Sequence, residues 1–249
     1  MGLGSTPKNF GPMASLNPKA ARAAQGTRAS RSSVVMSASE GDSEFSVSGG
    51  RVPVDGSYQD KQFSGSGAND QLLSASKLER VKQARLITAV KTPYTYSGRI
   101  DLNAMDRIVD FQLANGVEGL VVGGTTGEGH LMNWDEHLTL IEHCCSEYGD
   151  KLAIVGNVGS NSSLESFKAA EEGFRAGMHG ALIINPYYGK TSPAGIMFHL
   201  EQVMDLGPSI VYNVPSRTAQ DIPPEIMLEL AKHENFAGVK ECTGHERIA

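Results

Sequence analysis

Lys240 is delivered by an apolar run, Phe236-Ala237-Gly238-Val239, and a lysine at the end of a buried strand has a chemistry that a solvated lysine lacks. Desolvation disfavours the ammonium form, and the neutral amine adds to a ketone or aldehyde carbon to give an imine. On that feature alone a lysine reaching solvent is the commoner arrangement, since lysines are seldom buried. Tyr212 closes another apolar run, Ser209-Ile210-Val211-Tyr212-Asn213, where its phenol can exchange protons with an imine or enamine or can simply pack with its hydroxyl satisfied. The stretch Gly123-Gly124-Thr125-Thr126-Gly127-Glu128-Gly129 sets two hydroxyls among glycines near a helix start. Such a run cradles a small carboxylate with backbone N–H groups, or it is a tight turn that needs glycine. It lacks the spacing of a nucleotide-binding P-loop. Arg217 can grip a second carboxylate with its planar fork, against the ordinary alternative of a surface arginine.

Something must bring these distant residues together. Short apolar runs rich in β-branched residues occur at Leu86–Val90, Gly119–Val122, Ala153–Asn157, Ala181–Asn185, Ser209–Asn213 and Ala237–Glu241, starting about 28 to 34 residues apart. Segments of helical periodicity separate them. Helix starts are signalled by Asn133 before Trp134-Asp135-Glu136, by Ser162 and Ser163 with Glu165, by Ser192-Pro193 and by Pro223-Pro224-Glu225. Strands apolar on both faces and recurring in this way predict a parallel sheet covered by helices, either closed as a (β/α)8 barrel or open and doubly wound. An open sheet gathers its ligand groups at one switch point, whereas a barrel collects them from several strand ends. Here the unusual residues follow four different strands, so the barrel is the expected α/β fold, with about its first six βα units present in the sequence.

The chain has 249 residues, 40% of them hydrophobic, which is enough for a sizeable core. No apolar run approaches the length of a membrane helix, and a net charge of -6 provides no overall basic field for nucleic acid. Membrane and nucleic-acid roles are therefore not expected. Three cysteines, Cys144, Cys145 and Cys242, give neither a paired disulfide framework nor a zinc-type spacing, so no metal is expected. The charge is uneven. Residues 1–39 hold five basic side chains and no acid, leaving 17 basic against 28 acidic side chains thereafter. A Ser/Ala/Arg-rich, acid-free start predicts an organelle transit peptide over 1–39, cleaved near Val34-Val35-Met36-Ser37-Ala38, although a basic tail without fixed structure has a similar composition. Residues 40–69 read as a flexible Gly/Ser/Asp linker, and 70–249 as the incomplete barrel.

Gly123-Gly124-Thr125-Thr126-Gly127-Glu128, Tyr212-Asn213-Val214-Pro215-Ser216-Arg217-Thr218 and Gly238-Val239-Lys240-Glu241, in this order, strongly resemble the dihydrodipicolinate synthase family, most of all its plant and algal plastid branch. The resemblance runs from about Arg85 to the last residue. It implies a pyruvate-dependent class I aldolase on a (β/α)8 barrel, condensing pyruvate with L-aspartate 4-semialdehyde in lysine biosynthesis in the plastid stroma, without cofactor or metal. Carried over, Lys240 forms the imine, Tyr212 exchanges protons, Thr125 belongs to the proton relay and Thr126 holds the carboxylate of pyruvate. Tyr188 is the relay tyrosine supplied to a neighbouring subunit, and Arg217 receives the carboxylate of the second substrate. His130, Trp134, His137, Asn161, Glu165 and Tyr187 match positions that bind the end product L-lysine in feedback-regulated members, so L-lysine is the expected inhibitor. Without the resemblance, Trp134-Asp135-Glu136-His137 reads as an ordinary amphipathic helix start. The family implies a homotetramer built from two dimers.

With strands about 30 residues apart, two more units are needed to close an eight-stranded barrel, so the sequence reads as a fragment of a longer enzyme. Two other readings share some of these residues. An N-acetylneuraminate lyase-like enzyme would keep the lysine and tyrosine but has no reason to keep Arg217 within Val214-Pro215-Ser216-Arg217-Thr218. A non-catalytic subunit would instead dock through its open sheet edges.

Overall fold

The computed structural model describes residues 68–244. The expected transit segment and nearly all of the expected linker lie outside them, and Ala68 and Asn69, assigned above to the linker, already belong to the first helix. The elements alternate: α1 (Ala68–Gln83), β1 (Ile87–Ala89), α2 (Leu102–Ala114), β2 (Gly119–Val122), α3 (Trp134–Tyr148), β3 (Ala153–Asn157), α4 (Ser163–Arg175) and β4 (Gly180–Ile184). Then come α5 (Pro193–Met204), β5 (Ser209–Asn213), the single turn α6 (Pro215–Thr218), α7 (Pro224–Leu230) and β6 (Phe236–Glu241). All six strands are parallel and lie in sequence order, β1 to β6. A doubly wound sheet would reverse its order at a switch point. This sheet never does, which is the wall of a (β/α)8 barrel and settles the choice left by periodicity.

Side-chain alternation divides the core into two layers. Leu120 and Val122, Ile154, Ala181 and Ile183, and Val211 face the helices in one cluster with Leu140, Ile141, Leu200 and Val203. The residues between them, Val121, Val155, Leu182 and Tyr212, form a second cluster on the inner face, joined by Val81 of α1 and by Val214. Both faces of the central strands are thus apolar, as a parallel sheet requires. The outermost strand differs from the expectation: no residue of β6 is fully buried, and Val239 is exposed. Only β5 pairs with it in the described sheet, so Lys240 is half-buried and not fully desolvated.

The helix starts follow their local chemistry. Asn133 accepts from the Glu136 N–H at 2.9 Å while the Glu136 carboxylate takes the Asn133 N–H at 3.2 Å, a reciprocal box that fixes the entry to α3. Ser162 and Ser192 cap α4 and α5 through the N–H groups of Glu165 and Gly195. Asp101 caps α2 in the same manner through Ala104. These caps decide where Trp134 and Glu165 enter their helices, and both residues matter below. Among the described residues no helix is long and apolar enough to cross a membrane.

Candidate active site

The carboxyl ends of β2 to β6 carry the residues singled out above, and the parallel arrangement brings those ends to one side of the sheet. β2 runs into Gly123, whose backbone has φ +66, a conformation that favours glycine. The segment then folds back so closely that a Cβ on Gly129 would lie 1.8 Å from the Gly123 carbonyl oxygen. Two glycines thus build the loop that presents Thr125. Asn157, at the end of β3, donates to the Gly123 carbonyl at 3.1 Å and ties the loop to the next strand.

A cavity of about 230 Å³ opens between these strand ends, lined by Thr125, His130, Trp134, His137, Asn157, Ser160, Glu165, Tyr187 and Tyr212, among others. Tyr212 and Lys240 are direct neighbours in the β5–β6 register. The Lys240 amine stands 4.4 Å from the centroid of the Tyr212 ring, and the Thr125 side chain is near enough to the Tyr212 phenol to act on it. Burial raises the phenol pKa above its ordinary value, with Cys242 acting in the same direction and the Thr125 hydroxyl and the Arg217 charge opposing it. The phenol therefore stays protonated at neutral pH, ready to donate. An amine over a protonated phenol, with a hydroxyl nearby, gathers a nucleophile and two groups able to exchange protons.

Of the expected catalytic and substrate residues, Tyr212 and Thr125 line the cavity, and Lys240 stands over the Tyr212 ring without lining it. Arg217 sits on α6, exposed, with its charge felt at the Tyr212 phenol. Thr126 is exposed beside Thr125 and does not line the cavity. Tyr188 is 93% exposed with φ +72 and also lies outside the cavity lining.

Five of the six residues matched to L-lysine binding, His130, Trp134, His137, Glu165 and Tyr187, line the same cavity as Thr125 and Tyr212. Asn161 is exposed and does not line it. The Trp134 and His137 rings lie 5.2 Å apart at 37°. His137 is buried; desolvation lowers its pKa, so the ring is neutral at pH 7, and its Nε2 makes no hydrogen bond of good geometry although the Gly129 and Asn157 backbones are close. Glu165 accepts from the Ser160 hydroxyl at 2.7 Å, which orients its carboxylate at the start of α4. Thr125 and Tyr212 of the first set thus share one cavity with five residues of the second.

Sequence reasoning missed the supports. His199 of α5 is buried, exchanging a 2.9 Å hydrogen bond with the Ser163 hydroxyl and one of 3.0 Å with the Ile184 carbonyl, so it joins the start of α4 to the end of β4. Asn157, Asn185 and Asn213 follow at 28-residue intervals, each closing an apolar run, and Glu241 continues the series. A polar residue recurring at the same point of successive βα units was a legible signal.

The profile of the Dihydrodipicolinate synthetase family matches residues 82–248. The chloroplastic 4-hydroxy-tetrahydrodipicolinate synthase of Zea mays is 54% identical over 178 residues, which is 72% of this chain and 47% of that protein. A crystal structure of dihydrodipicolinate synthase from Cyanidioschyzon merolae with lysine bound superposes with a TM-score of 0.63 at 31% identity, covering 65% of this chain and 56% of the other. The chloride-inhibited dihydrodipicolinate synthase of Acinetobacter baumannii complexed with pyruvate gives 0.62 at 28% identity, covering 64% and 56%. The chain spans about half the length of the curated relatives it matches.

Proposed function

This chain belongs to the dihydrodipicolinate synthetase family, and from that membership we propose that it carries the catalytic lysine and proton relay of a plastid synthase condensing pyruvate with L-aspartate 4-semialdehyde. The observation that carries the reading is the Lys240 amine held 4.4 Å from the Tyr212 ring, with Tyr212 and Thr125 lining one cavity. In this scheme the Lys240 amine adds to the keto carbon of pyruvate, and the resulting carbinolamine loses water to give the imine. The protonated Tyr212 phenol supplies the proton that carries the oxygen away, with Thr125 replenishing it. The imine draws electrons from the adjacent methyl group, which gives up a proton to form the enamine. The enamine carbon attacks the aldehyde carbon of the second substrate, whose oxygen takes a proton. The amino group of that substrate then displaces Lys240 as the ring closes, returning the free amine. Thr126 and the backbone N–H groups of its loop hold the carboxylate of pyruvate, and Arg217 receives that of the semialdehyde. Tyr188, which lies outside the cavity of its own chain, completes the relay of a partner subunit within a tetramer.

The same residues support inhibition by L-lysine. Glu165 meets the ammonium group, Trp134 covers the aliphatic stem, and His130, His137, Asn161 and Tyr187 complete the site. A relative is known with lysine bound and another with pyruvate, and the Zea mays relative is chloroplastic, which supports the plastid assignment of the basic start of this chain. The test is reductive trapping. Incubation with pyruvate and borohydride gives a covalent adduct whose peptide mass maps to Lys240, whereas absence of the adduct from folded protein refutes the proposal.

A further inference from the structure

We infer that Asn213, paired with Glu241, is a positioning residue that locks β6 in the one register that turns Lys240 towards Tyr212; the inference rests on the imine chemistry proposed above. The parity of β6 shows why a lock is needed. Phe236 packs with the helix-side cluster and Ala237 with the inner one, so simple alternation would send Lys240, at an even position like Phe236, towards the helices. It does not go there, because the register shifts. Ser209 pairs with Phe236, yet Ile210 pairs with Gly238, leaving Ala237 as an extra residue. Gly238 accommodates the shift with φ +155, a conformation that other residues rarely adopt, and a Cβ there would meet nothing within 4 Å, so the demand is conformational rather than steric. Beyond this bulge Val211 pairs with Val239, Tyr212 with Lys240 and Asn213 with Glu241. A slip of one residue would turn every later side chain to the opposite face.

Asn213 stands where such a slip would have to pass. It is fully buried, and its amide nitrogen donates to Asp221 Oδ1 at 2.8 Å and to the two Glu241 oxygens at 3.0 and 3.1 Å. Its amide oxygen accepts from the Ile222 N–H at 3.1 Å. Glu241 in turn accepts from the Cys242 and Thr243 N–H groups at 3.0 and 3.1 Å, and the Cys242 N–H also reaches the Asn213 carbonyl at 2.9 Å. One amide therefore ties the end of β5, which carries Tyr212, to the end of β6, which carries Lys240, and to the segment following α6. Moving β6 by one residue would break the cross-strand pair and leave one N–H of this buried amide without its Glu241 acceptors, although the Asp221 and Ile222 bonds remain.

The test uses the 249-residue chain and reads Lys240 in two ways by peptide mass. The first is the rate of pyruvate–borohydride trapping. The second is the rate of acetylation by acetic anhydride relative to exposed Lys82, which reports the setting of the amine whether or not the chain is an enzyme. Asn213→Ala is expected to lower trapping by about 10²-fold, the loss that a misplacement of about 1 Å produces, and to change the acetylation ratio, while unfolding stays cooperative. Asn213→Asp keeps the shape but sets a third carboxylate beside Asp221 and Glu241, near Lys240 and Tyr212. Measured against the parent chain at each pH, its trapping is expected to recover between about pH 8 and pH 6 as the new acid protonates and regains a donor. Parent-like trapping and acetylation in folded Asn213→Ala overturn the inference. If Asn213→Ala does not fold, Asn213→Asp decides, and an absence of recovery on acidification overturns it. If the parent chain gives no pyruvate adduct, the functional proposal falls, and the lock then stands or falls on whether the acetylation ratio changes.

Discussion

Acidification should loosen the seam between β3 and β4 through one histidine. His179 uses both a backbone and a side-chain group on the same neighbour: its N–H donates to the Ile154 carbonyl at 2.8 Å, and its Nδ1 accepts from the Ile154 N–H at 3.0 Å. Only an imidazole with a free Nδ1 lone pair can accept that bond. The pKa of His179 falls from 6.5 to about 4, first because the ring is buried and then because Arg80 and Lys77 are positively charged, with Asp150 opposing. Since the folded pKa lies below the unfolded one, the unfolded chain binds a proton between those two values that the native chain does not. The contribution is therefore complete above about pH 6.5 and is lost as the pH falls towards 4. The full difference corresponds to roughly 3 kcal/mol, and partial exposure of the ring brings the expected figure nearer 2. For a domain of this size that is a fall of about 4 to 8 °C in Tm. Other groups also titrate, so the decisive comparison is with His179→Asn, whose side-chain oxygen can accept from Ile154 but does not ionise. Urea midpoints of both proteins, taken from about pH 7 to pH 4.5, should diverge, with the histidine chain losing about 2 kcal/mol more. Superimposable pH dependences would refute the reasoning. The seam matters for the site because its other end carries Asn157 and leads into Tyr187, both in the cavity lining.

Three further outcomes are expected. Tyr212→Phe removes the phenol beside Lys240 and should slow pyruvate trapping by about 10² to 10⁴-fold, read by single-turnover mass spectrometry, without changing the unfolding free energy by more than about 1 kcal/mol. Asn133→Ala breaks the reciprocal cap of α3 and should cost about 1 kcal/mol in urea titration; if Trp134 contacts L-lysine as proposed, calorimetry should show weaker L-lysine binding as well. Leu182→Ala empties a buried position of the inner layer and should destabilise the chain by about 2 to 5 kcal/mol, seen as a lower urea midpoint at unchanged slope.

Much of this architecture was readable from local pattern. The repeated apolar runs placed all six strands to within a residue or so at either end, because a strand buried on both faces must be apolar throughout. Asn133, Ser162 and Ser192 marked real helix starts, since a cap is decided by a few adjacent residues. The supports of the site were harder to read. His199 drew no expectation, and its two partners, Ser163 and Ile184, are separated from it by 36 and 15 positions. The strand-end series Asn157, Asn185, Asn213 and Glu241 was visible, but which strand each would brace depends on neighbours that only the sheet order supplies.

Lys240 shows where the boundary lies. Its residue type, its place after an apolar run and the presence of Tyr212 and Thr125 are properties of the sequence, and with the family resemblance they suggest the imine chemistry proposed above. The face on which its amine emerges is not, because alternation from Phe236 points to the wrong one. The extra residue at Ala237, the unusual backbone of Gly238 and the pairing of Asn213 with Glu241 decide it. Strand register is set by contacts between segments about 28 residues apart, and a period-two pattern read along one strand carries no information about how far its neighbour has slipped.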